Sequence, residues 1–101
     1  MNLVYGSVFE ADFAELVGYF YDNSGLVVSR RFEDSVAELI SLLLANPELG
    51  RVRRSLKPEG VRSFVLPQFR NYVLFYRLVG EDRVLMRLRF GGMDLPALFN
   101  S

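Results

Sequence analysis

Arginine supplies most of the chemistry available to this chain. The sequence has no cysteine and no histidine, and every basic side chain except Lys57 is an arginine. Disulfides, thiol nucleophiles, Cys/His zinc sites and imidazole acid–base catalysis are therefore excluded. A planar guanidinium suits bidentate recognition of carboxylate or phosphate. We predict no catalytic residue, no metal ligand and no cofactor, and we expect the arginines to bind a partner.

A row of arginines marks the last predicted strand, residues 83–90. Side chains alternate across a sheet, so Arg83, Arg87 and Arg89 are expected to point to the same side. Arg77 belongs to the neighbouring strand, where its face depends on the pairing register. The row suits an acidic segment of a partner, an acidic target surface or nucleic-acid phosphate. The alternative is a solvated face whose long stems cover apolar area; we interpret the row as a docking face.

A second basic cluster lies between the predicted helices and the later strands. It contains Arg51, Arg53, Arg54 and Lys57. Clustered basic side chains on a loop can bind phosphate or an acidic partner, but the C-terminal end of a helix also attracts cations through its dipole. Both interpretations stay open, and the three arginines are counted among the candidate partner-binding residues.

Aromatic residues near the predicted strands invite comparison with proteins that bind single-stranded nucleic acid. Phe69, Tyr72, Phe75 and Tyr76 would stack bases if they lay on an open sheet face. No RNP-like string accompanies them, and aromatic residues are ordinary strand formers. The sequence therefore favours core packing for these rings, and direct binding of nucleic acid is not expected.

The two halves of the chain carry opposite charge although the net charge is zero. Residues 1–50 hold eight carboxylates and two arginines, whereas residues 51–101 hold ten basic side chains and four carboxylates. Such segregation shapes the field around a protein without showing in its isoelectric point. The alternative is a chance sorting of solvated charges.

Grouped rather than alternating elements indicate an α+β domain. A short strand is predicted at residues 2–5, followed by an amphipathic helix that starts with the capping-box spacing of Ser7 and Glu10. Turn residues 22–25 separate it from a second helix over residues 26–45, which predicts an antiparallel two-helix hairpin. Further strands are predicted at residues 61–66, 72–79 and 83–90. The expected fold packs the hairpin on a three- to four-stranded antiparallel sheet.

A single domain over residues 1–101 is predicted, with no repeat or linker. Half of the residues are hydrophobic, so material for a core is ample. No apolar run approaches the ~18 residues of a membrane span, and the first residues lack the basic region of a signal peptide. A cytoplasmic protein without a membrane partner is expected.

The order of these elements and several strings resemble the RelE/ParE family of toxins from bacterial type II toxin–antitoxin systems. The matching strings are NPELGR at 46–51, VRSFVL at 61–66 and NYVLFYRLVGEDRVLMRLRFGG at 71–92, with the acidic first helix before them and Asp94 after them. The resemblance covers nearly the whole chain. It implies two helices across a curved antiparallel sheet, and an antitoxin whose flexible segment wraps the toxin and silences it.

Two activities occur within that family, and the residues of this chain favour one of them. The RNA-cutting branch has basic residues, and often a tyrosine, at positions that here are apolar: Phe64, Leu66, Val73, Met93 and Phe99. Leaving-group protonation and phosphate stabilisation need polar atoms at such places. The resemblance thus implies a ParE-like toxin of a plasmid-stabilisation module that inhibits DNA gyrase. The alternatives are a RelE-like ribosome-dependent ribonuclease with a displaced catalytic set, and a degenerate toxin that only binds antitoxin.

Overall fold

The computed structural model describes residues 2–92 and residue 99. Its elements follow in the order β1 (Leu3–Tyr5), α1 (Ser7–Ala45), β2 (Arg51–Val52), β3 (Val61–Val65), β4 (Tyr72–Val79) and β5 (Asp82–Phe90). The strands form one sheet in the order β1-β5-β4-β3-β2, and α1 packs on one face of it. The α+β class predicted from the sequence is confirmed. Met93 and Asp94, which were singled out in the sequence, lie outside the described residues.

The sheet has five strands rather than three or four, and one of its pairs is parallel. β1 runs parallel to β5, with Leu3 opposite Arg83, whereas the pairs β2–β3, β3–β4 and β4–β5 are antiparallel. The prediction of a wholly antiparallel sheet is therefore wrong. A two-residue strand such as β2 is too short to show alternation in the sequence. The direction of β1 is set by its contacts with β5 at the far end of the chain.

α1 is one helical element of 39 residues, where two helices separated by a turn were predicted. Residues 22–24 stay helical, and only Gly25, at φ 86° and ψ 176°, leaves the helical region. The amide of Asn23 donates to Tyr19 O (2.8 Å), so this polar side chain hydrogen-bonds a helical carbonyl without ending the helix. The predicted four-residue turn is thereby corrected to a break at a single glycine.

The break at Gly25 turns the helical chain back on itself. A straight helix of this length would extend roughly 58 Å at 1.5 Å per residue, but the longest dimension of the molecule is 38 Å. Across the break, Ser29 Oγ donates to Val17 O (3.3 Å), and the rings of Phe20 and Phe32 lie 4.8 Å apart. We call residues 7–24 the first arm and residues 26–45 the second arm; both cover the same face of the sheet.

The main core lies between α1 and this inner face of the sheet. The two arms contribute Phe9, Phe20, Phe32, Val36, Leu39 and Leu43, and the strands contribute Leu74, Tyr76, Leu85 and Leu88. A second cluster lies on the opposite, outer face and consists of Leu56, Val61 and Phe75 with Val73, Met86 and Phe99 packed against them. Within residues 2–92, no helix is long and apolar enough to cross a membrane.

α1 begins without the predicted capping box. Its N-cap is Gly6, which has no side chain to offer, and Ser7 is already helical. The amide of Gly6 donates to Leu85 O (3.0 Å), and an added Cβ would lie only 2.5 Å from that oxygen. The close approach of β5 therefore requires glycine where the chain leaves β1 and enters the helix.

Candidate functional site

A bulge interrupts the pairing of β5 with β4. Phe75 lies opposite Arg87, and the next residue, Tyr76, lies opposite Leu85, so Met86 is left without a partner on β4. An unpaired residue of this kind is a β-bulge, and it changes which side chains face which side of the sheet. The alternation of inner and outer side chains is therefore interrupted in the middle of β5.

The bulge divides the predicted row of arginines between the two faces. Arg83 lies on the inner face and is only 2% exposed. Leu88 belongs to the main core, so its neighbours Arg87 and Arg89 start from the outer face. The prediction that all three arginines point to the same side is wrong, because alternation was counted straight through the bulge.

Five arginines lie on the outer face, and we call them the outer arginines. The ladder partners of Arg77 include Val61, and Phe75 lies opposite Arg87; both partners belong to the outer cluster. Arg51 lies opposite Ser63, which in turn lies opposite Phe75. The complete set is Arg51, Arg53, Arg77, Arg87 and Arg89. The basic cluster of residues 51–57 and the arginine row of the last strand were predicted as separate groups. Arginines from both groups lie on this one surface.

Asp12 fixes two of the outer arginines. The residue is buried, and its carboxylate accepts from Arg87 Nε (2.8 Å), Arg87 Nη2 (3.3 Å) and Arg89 Nη1 (3.2 Å). It also accepts from the backbone N–H of Leu88 (3.0 Å), beyond the point where β1 ends and the edge of β5 lies open. Arg89 Nη1 lies 3.8 Å from the exposed Glu15. The carboxylate therefore joins the first arm to the edge of the sheet.

Sequence reasoning missed this role of Asp12, although the chain carried a signal for it. Helix positions three or four apart share a face, and Asp12 stands between Phe9 and Phe13 and four residues before Leu16, all on the apolar stripe of the first arm. A carboxylate on such a stripe needs a buried cationic or N–H partner.

The remaining basic residues of the surface are held less tightly. Arg53 donates to Ser63 Oγ (3.2 Å), and Arg77 Nε donates to Glu59 O (2.9 Å). Arg51 and Arg54 are exposed. Because none of these contacts neutralises charge, the surface keeps positive charge for an outside ligand.

An apolar centre lies among the outer arginines. The ring of Phe75 is fully buried there, and the ring of Phe99 packs on it at a centroid distance of 5.0 Å.

Two cavities flank this apolar centre. One, of about 370 Å³, is lined by Leu49, Arg51, Arg53, Ser63, Phe64, Val65 and Val73. The other, of about 400 Å³, is lined on its polar side by Ser7, Lys57 and Arg87. Both join apolar walls to cationic rims, which suits a segment with carboxylates and apolar anchors.

Two of the aromatic residues considered for base stacking are buried, and the other two are partly buried and pack against the main core, as predicted. Tyr76 and Phe75 are fully buried, and Phe69 and Tyr72 make edge contacts with the ring of Phe32 at 5.3 and 5.8 Å. None of these four rings forms an open stacking platform.

Tyr76 holds the segment that follows α1 against the sheet. Its hydroxyl accepts from Gly50 N (2.8 Å) and donates to Pro47 O (3.0 Å). Burial raises the pKa of Tyr76, against the opposing effects of the Gly50 hydrogen bond and the nearby charges of Arg62 and Arg83. Gly50 is required there, since an added Cβ would lie 2.8 Å from the Tyr76 ring.

Of the positions that are polar in the RNA-cutting branch of the family that the sequence resembles, the four that the structure describes do not converge. Phe64 and Leu66 pack against the main core on the inner face, whereas Val73 and Phe99 belong to the outer cluster. An apolar interior position can neither move a proton nor stabilise phosphate charge.

Comparison with known proteins agrees with the fold and with the sequence resemblance. The family model described as the ParE toxin of the type II toxin–antitoxin system parDE matches residues 3–95. Toxin ParE3 of Caulobacter vibrioides is 36% identical over 76 residues, which cover 75% of this chain and 72% of that protein. A chain of the chromosomal ParDE TA system from P. aeruginosa has the same fold, with a TM-score of 0.74, 19% identity, and coverage of 89% of this chain and 95% of that one. The chain therefore belongs to the ParE family, the toxins of type II toxin–antitoxin systems.

Proposed function

We propose that this chain is a cytoplasmic toxin that inhibits DNA gyrase. A cognate antitoxin binds the toxin and keeps it inactive. Membership of the ParE toxin family supports a toxin with an antitoxin partner. The choice of gyrase over messenger RNA is supported by the apolar residues at the ribonuclease positions, which lie on two different faces of the sheet. The chain then acts by binding its target, and no bond is made or broken on its surface.

The part of the proposal that concerns the antitoxin rests on the outer arginines. An extended acidic segment laid across the outer face would meet Arg51 and Arg53 at one side of the apolar centre and Arg87 and Arg89 at the other. Apolar side chains of the same segment would enter the two flanking cavities. Charge-assisted hydrogen bonds from guanidinium groups to carboxylates give such a contact both strength and orientation.

The decisive experiment measures supercoiling by purified gyrase in the presence of the purified chain. We expect inhibition that rises with the amount of chain and that disappears when the cognate antitoxin, to be sought in a small reading frame beside this gene, is added first. Heat-denatured chain is the control. A translating extract tests the ribonuclease alternative at the same time. Site-specific messenger cleavage with intact gyrase activity would contradict the proposal and favour a RelE-like enzyme. Binding of that antitoxin without either activity would identify a degenerate toxin.

A further inference from the structure

A cavity of about 310 Å³ lies between the two arms of α1, at the end of the helical layer nearest β1. Its apolar lining consists of Tyr5, Phe9, Phe13, Val36, Ala37 and Ile40. Phe9 and Val36 belong to the main core, whereas Tyr5 and Ala37 are exposed. The cavity therefore leads from the surface down to the core, and we call it the arm groove.

The arm groove is open because the second arm has a small residue there. Ala37 ends at Cβ, so no longer side chain at this exposed position fills the space between the arms. An apolar surface that is open to water and bordered by charge is typical of a docking site. Ala37 is not one of the buried residues of the main core, so a larger side chain can close the groove without removing a core contact.

Two carboxylates border the arm groove, and each comes from a different arm. They belong to Glu10 and Glu33, which are both exposed. Neither forms an ion pair with another residue of 2–92 or 99. The α1 layer as a whole carries seven carboxylates and two arginines. Charge complementarity therefore calls for a basic ligand here, opposite in sign to the segment proposed for the outer arginines.

The lining of the arm groove favours a helical ligand over an extended one. All lining residues except Tyr5 lie on α1, where the backbone amides and carbonyls are bonded within the helix. An extended strand would find no ladder of hydrogen bonds there, whereas a helix satisfies its own backbone. From Glu33 to Ile40 the second arm rises roughly 10 Å at 1.5 Å per residue. This is two turns, over which apolar anchors at i, i+4 and i+7 lie on one helix face.

We infer that the arm groove binds an amphipathic helix of the toxin's target. Apolar side chains of that helix enter between the arms, and its Lys or Arg side chains lie along the apolar lining and pair with Glu10 and Glu33. The inference rests on the proposed function, and it gives DNA gyrase a contact that is separate from the outer arginines. Variants of the groove should therefore lose inhibition of gyrase and keep their affinity for the antitoxin.

Ala37→Arg tests whether the groove is the contact. The new side chain fills the groove and stands four residues after Glu33, an arrangement that favours the helix. We expect the concentration of toxin that half-inhibits supercoiling to rise at least about tenfold, as for loss of a central interface contact. Ala11→Arg adds the same side chain at an exposed position of the first arm outside the groove, and should inhibit like wild type. Circular dichroism verifies the fold of both variants. Wild-type inhibition by Ala37→Arg would overturn the inference.

Neutralising the two bordering carboxylates tests the charge of the ligand. Glu10→Gln with Glu33→Gln should weaken inhibition at low salt, and its deficit should shrink at high salt. Asp34→Asn with Glu38→Gln is the control, since it removes two exposed carboxylates of the second arm that do not line the groove. This control should inhibit like wild type at both salt concentrations. Equal weakening by the two double variants would mean that gyrase responds to net charge alone, and it would overturn the inference.

Photo-crosslinking identifies the segment that enters the groove. A benzoylphenylalanine in place of Tyr5 puts a reactive ring of similar size at the exposed side of the groove. We expect it to label purified gyrase on a helix that bears Lys or Arg beside apolar residues. A label on an acidic or extended segment would contradict the inference.

Two further outcomes separate the inference from the proposed function. If Ala37→Arg binds the antitoxin much more weakly than wild type in titration calorimetry, the groove belongs to the antitoxin, and the inference is overturned while wild-type inhibition of gyrase stands. If wild type itself does not inhibit gyrase, the proposed function fails, and the inference fails with it.

Discussion

At the scale of single residues, Asp12 is where helix and sheet edge are joined. The side chain of Asp12 is 5% exposed and is paired with two arginine side chains that are 20% and 18% exposed. Asp12→Asn removes the charge while both cations stay in place. We expect the free energy of unfolding to fall by about 3 kcal/mol, toward the lower end for a buried ion pair because the guanidinium groups keep contact with water. Chemical denaturation measures it.

Glu15→Gln is the control for Asp12→Asn. The side chain of Glu15 is 68% exposed, and its carboxylate lies 3.8 Å from Arg89 Nη1, which is a long distance for an ion pair. Exposed pairs of this kind contribute little, so this variant should unfold like wild type. Equal stability of Asp12→Asn and Glu15→Gln would show that the Asp12 cluster does not stabilise the fold.

The Asp12 cluster also limits which arginine variants can be used to test binding. Reversing Arg87 would set a second carboxylate beside Asp12, so loss of antitoxin binding by that variant would not distinguish docking from unfolding.

Tyr76 gives a prediction that depends on pH. Its pKa is raised in the folded protein by burial, so the folded state holds the phenolic proton more tightly than the unfolded chain does. Stability from this group is complete below the ordinary tyrosine pKa of about 10 and is lost as pH rises through the folded pKa. The unfolding free energy of wild type should therefore fall above pH 10 more steeply than that of Tyr76→Phe.

At neutral pH, Tyr76→Phe leaves Gly50 N and Pro47 O without the hydroxyl that pairs them. The expected cost is about 1–3 kcal/mol, as for buried polar groups that lose a partner. Denaturant unfolding at pH 7 and at pH 10.5 measures both effects. Parallel curves for the two proteins across this pH range would contradict the assignment to Tyr76, and Tyr72, whose pKa is also raised by burial, would then be the residue to change.

At the scale of elements, Gly25 decides how α1 folds back. Its φ of 86° and ψ of 176° lie in a region that is essentially restricted to glycine, at a cost to other residues of about 1–3 kcal/mol. Gly25→Ala should lower stability by that amount. Gly18 lies in the first arm, and an added Cβ there would meet no atom within 4 Å. Gly18→Ala should raise stability by up to about 1 kcal/mol, because alanine favours the helix. Thermal unfolding of the pair should give shifts of opposite sign; two shifts of the same sign would contradict the break.

The same elements show which features of the fold can be predicted from the sequence. Alternation and turn residues located β4 at residues 72–79 and β5 to within one residue, and Asn46-Pro47 correctly ended the second arm at Ala45. These signals are local, so they are readable from a short window. The bulge at Met86 and the parallel pairing of β1 are decided by partners far away in the chain. For that reason the candidate arginines were identified by type, but the inner position of Arg83 and the pairing of Arg87 with Asp12 were not.

At the scale of the whole molecule, opposite charges occupy opposite layers. α1 carries seven carboxylates and two arginines, whereas the outer face of the sheet carries the five outer arginines. The opposite charge of the two halves of the sequence thus becomes a difference between the two layers of the fold. A field of this kind orients an acidic partner toward the sheet before contact and weakens with added salt.

Two double charge-reversal variants distinguish an effect of this field on antitoxin binding from an effect of net charge. Arg51→Glu with Arg54→Glu changes two exposed side chains beside the sheet, and Arg30→Glu with Arg31→Glu changes two exposed side chains on the second arm. Both variants shift the net charge by the same amount and leave the Asp12 cluster intact. If the antitoxin lies on the outer face, the first variant should bind it at least tenfold more weakly in titration calorimetry at low salt, and the second should bind within about twofold of wild type. The deficit of the first variant should shrink at high salt, since its cause is electrostatic. Circular dichroism verifies that both variants are folded. Equal weakening by the two reversals would mean that the antitoxin responds to net charge alone, and that Arg51 and Arg54 belong to a solvated face.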